Sequence, residues 1–276
     1  MSPEKERDNA LHDRTRIESL FLDYDGTIGP LNVPREESRV PGKTRVALER
    51  ISRLIPVVIV STKDLSFLVP RTPFAHAWCG IAGIETKIGS KVEQVPSLDD
   101  AIERVASALD YAKTISKDTS VFLEEKHDSR GRTVAFCVDW RRAQNLETAR
   151  LQANLIKNRC IELRLNIINY FEQPFFDVYP IPVDKGKAVK DVQQELRLKD
   201  STLYMGDSEI DNSAFRTCDV SLGVINEESR WQNLNCDFFL AYGEVESFLT
   251  MLLENDLLFD SSFPMIKTNP LRMSEG

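Results

Sequence analysis

The stretch Phe21-Leu-Asp-Tyr-Asp-Gly-Thr-Ile-Gly-Pro30 decides how the rest of the chain is read. It closes an apolar run, "IESLFLD", then sets Asp23 and Asp25 two residues apart and turns at once on Gly26. An apolar run stopped by a turn is expected of a strand buried on both faces. Two carboxylates at one strand end repel each other. Either a counter-charge is gathered there, or the pair is only a turn.

The segments downstream favour the first alternative. Residues 43–55 carry Ala47, Ile51, Leu54 and Ile55 at helical spacing, and "PVVIVS" follows as a second buried strand ending at Ser61. Strand, helix, strand is the unit of a parallel sheet, and it brings Asp23 and Ser61 to one carboxyl edge, where such sheets bind ligands. Residues 186–198 repeat the helical pattern with Val189, Val192 and Leu196. "STLYMGD" is then a strand ending at Asp207, "DVSLGV" and "CDFFLA" are further strands, and Val245, Phe248, Leu249 and Leu252 mark a closing helix.

Between these halves the pattern changes. A helix over 101–113 precedes "VFLEEK" and "TVAFCVDW", which pair antiparallel through "HDSRGR". A helix over 143–160 precedes strands at "RLNIIN" and "FFDVYP". The expected fold class is therefore α/β, a Rossmann-like parallel-sheet core with an inserted α+β cap domain. The core takes residues 1–96 and 181–276, and the cap takes 97–180.

The 276 residues suffice for a substantial core, and the net charge of −8 disfavours a general nucleic-acid binder. The five cysteines are odd in number and widely spaced. They fit neither a disulfide framework nor a zinc site, and are expected as small buried hydrophobes. No apolar run reaches the roughly 20 residues of a membrane helix, and the charged N-terminus has no leader-like apolar segment, so a cytoplasmic protein without membrane partners is expected. The first 15 residues read as a mobile arm and residues 261–276 as a tail.

The chemistry-bearing groups fall at element ends that this fold gathers. Asp23 is placed as a nucleophile, since a carboxylate attacks well when cations neutralise the group it attacks. Asp25 can protonate a leaving oxygen and later take a proton from water. Gly26 and Thr27 form the turn, whose amides can meet phosphate oxygens. Asp207 adds a carboxylate, and Mg²⁺ suits an all-oxygen set that also accepts substrate phosphate. Asp211, four residues on, backs the metal ligands or pairs with a lysine. Ser61 and Lys185 supply a hydroxyl and a cation to a transferring phosphoryl group.

"DYDGT", "VIVS", "DKGKA" and "GDSEID" resemble, in this order, the four motifs of the haloacid dehalogenase superfamily of phosphotransferases, and the long insertion is similar to its subclass with a large α/β cap (subclass IIB). The resemblance implies Asp23 as nucleophile and Asp25 as general acid/base. It implies Ser61, Thr62, Lys185, Gly26 and Thr27 around the phosphate. Asp23, Asp207 and the backbone carbonyl of Asp25 would contact Mg²⁺, with Asp211 and Ser208 behind them. Within the superfamily the chain looks most like trehalose-6-phosphate phosphatases. "FLEEK", "VDWR" and "EQPFFDVYP" then nominate Glu124, Lys126, Arg141 and Asp177 as sugar ligands. The chain departs from that pattern at "STK", Ser61 to Lys63, and at "DWR", Asp139 to Arg141. The activity implied is Mg²⁺-dependent hydrolysis of a small sugar phosphate, trehalose 6-phosphate first. The alternatives are another sugar phosphate or a glycosyl-3-phosphoglycerate, a phosphomutase outcome, or a non-catalytic sugar-phosphate sensor.

Overall fold

The computed structural model describes residues 14–96, 98–117, 121–170, 173–198, 201–227 and 233–268. Its centre is a nine-stranded sheet. Strand β1 (Arg14–Arg16) lies outside it, and β2 (Ser19–Leu22), whose last two residues begin the opening stretch, lies at its middle. Helix α1 (Gly42–Ile51) leads to β3 (Val57–Val60), helix α2 (Leu65–Arg71) to β4 (Ala77–Gly80), and a hairpin of β5 (Glu85–Ile88) and β6 (Lys91–Gln94) follows. β2, β3 and β4 run parallel, while β5 and β6 continue the sheet antiparallel.

After the inserted layer the chain returns through helix α5 (Lys185–Glu195), β11 (Thr202–Gly206), the short helix α6 (Asn212–Phe215), β12 (Val220–Ile225), β13 (Phe238–Ala241) and helix α7 (Val245–Glu254). β11 pairs parallel with β2 on the side away from β3. The strand order therefore reverses between β2 and β11, and Asp23 and Asp207 follow those two strands. All residues of β2, β3 and β11 are buried. That explains their unbroken apolar runs.

The inserted layer is a four-stranded antiparallel sheet with strand β7 (Phe122–His127) at one edge. Strand β8 (Thr133–Asp139), β10 (Phe175–Tyr179) and β9 (Asn166–Asn169) follow across it. Helices α3 (Asp99–Ser116) and α4 (Leu146–Glu162) cover one face, with Val105, Leu109, Ala153 and Ile156 packed on Phe136, Val138, Phe176 and Val178. The period-2 alternation sends Glu124, Cys137 and Asp177 to the other face, in one row across the sheet. The β7–β8 turn is tied to the β5–β6 hairpin, because the buried Glu85 carboxylate accepts from Ser129 Oγ (2.6 Å) and from Gln94 (3.0 Å).

Three expectations are corrected. Arg14–Arg16 is not part of an arm, because it pairs with β14 (Leu258–Asp260). Residues 261–268 are not a tail. Phe263 lies 6.3 Å from the rings of both Phe248 and Phe259, and β15 (Lys267–Thr268) pairs with β13. Residues 1–13 and 269–276, which complete those two expectations, lie outside the described residues. Helix α1 stops at Ile51, so Leu54 lies beyond it and is 64% exposed. The segment 62–96, to which periodicity assigns nothing, holds α2 and three strands. All five cysteines are buried thiols. Among the described residues no helix is long and apolar enough to cross a membrane.

Candidate active site

The site is built where β2 and β11 end. The Asp23 amide donates to Met205 O (2.9 Å), which continues the β2–β11 ladder up to the first acid. The chain then folds back on itself, with the amides of Ile28 and Gly29 donating to Tyr24 O (3.0 and 2.7 Å) and that of Gly26 to Gly29 O (2.9 Å). Gly26 has φ +69°, and a Cβ there would collide with the Asp207 carboxylate. The glycine is required both by its left-handed backbone and by that close approach.

Lys185 opens helix α5, whose cap is Asp184; its carboxylate accepts from the amides of Gly186 (2.8 Å) and Lys187 (3.1 Å). This cap orients the lysine inward. Its ammonium is fully buried, 3.0 Å from Asp23 and 2.7 Å from Asp211. Burial works against that charge, and Asp211 and Asp23 outweigh it, raising the lysine above its usual range.

Asp211 Oδ1 accepts from Lys185 and from the Tyr204 hydroxyl (2.6 Å), and Oδ2 accepts from the amides of Asp207 and Ser208 and from Ser208 Oγ. Its acceptor capacity is consumed in holding the loop that carries Asp207 and Ser208. Asp23, Asp207 and Asp211 each bring a carboxylate oxygen within 4.8 Å of the others. Burial pushes the Asp23 carboxyl up to about 7, against the pull of Lys185, with Asp211 and Asp25 pushing further. Burial, then Asp23 and Asp211, hold Asp207 well above the usual carboxylate range. Three buried carboxylates thus cluster beside one ammonium, which contacts Asp23 and Asp211 but not Asp207, and crowding without enough cation keeps protons on Asp23 and Asp207 more readily than on an ordinary carboxyl. A hard divalent cation with oxygen ligands fits this donor set.

Around this floor opens a cleft of about 490 Å³. Asp23, Asp25, Thr62, Lys63, Asp207 and Ser208 line its base, and Glu124, Lys126, Arg141 and Asp177 line its roof. Ser61 is buried behind Thr62, its Oγ accepting from the Lys63 amide (3.3 Å). Thr27 is buried too, and its hydroxyl has no hydrogen-bond partner among the described residues.

The roof residues are held differently from one another. Lys126 is buried and donates to Asp177 Oδ1 (2.7 Å), while Tyr170 and Tyr179 donate to Asp177 Oδ2 (2.8 and 3.1 Å). Arg141 is fixed by Asp139 Oδ2 at 2.7 and 2.9 Å, lies 4.7 Å from the Phe175 ring centre, and donates to Asn32 (3.0 Å). Glu124 meets Lys63 (2.8 Å) and Arg35 (3.0 Å), both from the core. Sequence reasoning missed Arg35, Asn32 and Asn226, and saw Lys63 only as a departure. Arg35 and Asn32 sit in a loop without periodicity. Asn226 follows β12, so a search of every strand end would have found it.

A family model described as sucrose-6F-phosphate phosphohydrolase matches residues 83–237. A curated relative from Arabidopsis thaliana, described as probable trehalose-phosphate phosphatase H, is 27% identical over 216 residues. The match covers 71% of this chain and 60% of that relative, so the chain spans less than two thirds of the relative's length. The C-terminal domain of a C. albicans trehalose-6-phosphate phosphatase superposes with a TM-score of 0.70 at 19% identity, over 87% of this chain and 94% of that one. A sugar phosphatase of subclass IIB of the HAD superfamily superposes with a TM-score of 0.57 at 16% identity, over 87% and 99%. The likenesses to solved structures show a shared fold.

Proposed function

We propose, from the premise that the chain belongs to the sucrose-6F-phosphate phosphohydrolase family, that it is a metal-dependent phosphomonoesterase acting on a sugar phosphate. The observation that carries this reading is Asp23, buried at the strand-order reversal 3.0 Å from Lys185 and facing a cleft of about 490 Å³. That volume is in the range of small-molecule sites.

Asp23, Asp207 and the Asp25 carbonyl would hold the ion, read as Mg²⁺, with Asp211 and Ser208 supporting them. When bound, the ion would neutralise phosphate oxygens and the excess charge of the acids. Lys185, Ser61, Thr62 and the turn at Gly26 and Thr27 receive the remaining phosphate oxygens. An Asp23 oxygen attacks phosphorus while the sugar oxygen leaves and takes a proton from Asp25. Water then gives a proton to Asp25 and attacks the same phosphorus, releasing inorganic phosphate and restoring the Asp23 carboxylate. Residues 97–180 act as a cap that excludes water and reads the sugar. Glu124, Lys126, Arg141 and Asp177 are its recognition face, with Asp177 acting through Lys126.

Trehalose 6-phosphate is the first substrate to test, since related proteins carry that name. Sucrose 6-phosphate follows from the matched family description. The experiment is Mg²⁺-dependent phosphate release from a panel of sugar phosphates by the parent and Asp23→Asn proteins. Activity on at least one ester, abolished in Asp23→Asn, is expected. Undiminished turnover in that variant would remove the mechanism, and an isomeric sugar phosphate as product would make the protein a mutase.

A further inference from the structure

Three adjacent strands, β2, β11 and β12, end beside one another. The first two deliver acids, and the third delivers Asn226, a neutral side chain to which the proposed chemistry gives no part. The Asn226 amide nitrogen donates to Asp207 Oδ2 (2.7 Å) and to the carbonyl of Gly26 (3.2 Å). The same nitrogen would be 2.7 Å from a Cβ placed on Gly26. One amide group therefore spans the first turn and the loop after β11, which lie 181 residues apart in sequence between Gly26 and Asp207.

We infer that Asn226 is a positioning residue for the divalent cation. It fixes one oxygen of Asp207, so that the other is presented to the ion. It also anchors the Gly26 carbonyl, next in the chain to the Asp25 carbonyl read as an ion ligand. The choice of asparagine follows from charge. A carboxylate at 226 would add a fourth acid to a cluster of three in which the one ammonium contacts only Asp23 and Asp211. An apolar residue would leave Asp207 Oδ2 and the Gly26 carbonyl without this donor, at a cost in buried hydrogen bonding. Asp211 restrains the Asp207 loop through its backbone amides, and Asn226 restrains the Asp207 side chain itself. The two supports are not redundant.

The inference rests on the proposed metal site, and the test separates the two. Mg²⁺ is titrated by calorimetry, without substrate, into the parent chain, Asn226→Leu, Asn226→Ala and Asp207→Asn, each shown to be folded by circular dichroism. Asn226→Leu keeps the volume; Asn226→Ala avoids apolar bulk should the first variant not fold. Both are expected to bind Mg²⁺ about tenfold or more weakly, the usual effect of losing a ligand's supporting partner. In turnover assays the Mg²⁺ concentration for half-activation should rise by a similar factor, with kcat largely recovered at saturating Mg²⁺ and the sugar-phosphate KM little changed. Unaltered Mg²⁺ affinity in a folded Asn226 variant, with binding lost in Asp207→Asn, overturns the role of Asn226 alone. Unaltered affinity in Asp207→Asn as well overturns the metal site and this inference with it.

Discussion

The Lys63 ammonium lies 2.8 Å from Oε1 and 3.0 Å from Oε2 of Glu124, joining the strand-end loop of the core to the face of the inserted layer. It is also 3.5 Å from Asp25. Lys63 closes the "STK" segment, one of the two places where the chain departs from the resembled pattern. Its partner Glu124 takes a second core cation in Arg35, which is itself fixed by Asp64 at 2.6 Å. This pair is only partly exposed, at 15% and 19% of the side chains, so it is weakly screened. A double-mutant cycle of Lys63→Met and Glu124→Gln, read by urea unfolding, should give a coupling energy of about 1–2 kcal/mol. Simple additivity of the two single changes would show that the contact contributes nothing to holding the layers together.

The same carboxylate predicts a pH dependence. Burial pushes Glu124 up, but Lys63, Lys126 and Arg35 outweigh it and hold its carboxyl at about 2, against 4.5 ordinarily. The folded state therefore binds a proton there less readily than the unfolded chain. Its stabilisation is complete above pH 4.5 and is lost as pH falls from 4.5 through 2. Glu124→Gln removes this component, which is on the order of 2–3 kcal/mol for such a shift. The difference in unfolding free energy between parent and Glu124→Gln should narrow steadily below pH 4.5. A difference that stays constant down to pH 3 refutes the assignment.

Asp177 offers a test of how the roof is held. Its two oxygens accept from Lys126, Tyr170 and Tyr179, all in a buried setting. Lys126→Met should destabilise the chain by about 3 kcal/mol, because it leaves the carboxylate buried without its cation. Adding Asp177→Leu should restore part of that loss, since the uncompensated charge goes with it. Urea midpoints of the single and double variants decide this, and a double variant weaker than Lys126→Met alone would contradict it.

Much of the core was legible because a parallel sheet turns strand ends into addresses. Asp23, Ser61 and Asp207 each close an unbroken apolar run, and β2, β3 and β11 are indeed buried throughout. Lys185 was legible as a cation beside the glycine that opens a helix, and the structure caps that helix with Asp184. Glu124 and Asp177 came from resemblance, and the alternation of β7 and β10 explains why they share a face with Cys137. The segment 62–96 was not legible. Helix α2 has only seven residues and contains Pro70, and the hairpin β5–β6 alternates charged residues that are mostly half-exposed or exposed. The anchoring of residues 261–268 depends on Phe263 and Met265, with Ile266 beside them, a short apolar run without helical or strand periodicity whose partners lie elsewhere in the sequence. Arg35 and Asn32 meet the inserted layer through a loop whose course follows from the Arg71 guanidinium, which donates to Arg35 O (2.9 Å) and Ser38 O (3.0 Å). No local pattern encodes that.

Gly26 gives the sharpest prediction for the opening turn. Its φ of +69° lies in the left-handed region, and its missing side chain admits the Asp207 carboxylate and the Asn226 amide. Alanine at this position meets two separate penalties. The backbone conformation costs about 1 kcal/mol for a residue with a Cβ. The Cβ also collides with the Asp207 carboxylate and must displace it, and that displacement falls on a ligand of the proposed ion. Gly26→Ala should therefore lose only a modest part of its stability while phosphate release falls about 100-fold or more, as displacement near 1 Å in an active site does. Thermal unfolding and phosphate release measured on the same preparation separate the two effects. Parent-like turnover in a folded Gly26→Ala protein would mean that the close approach of the two loops is not needed for the reaction.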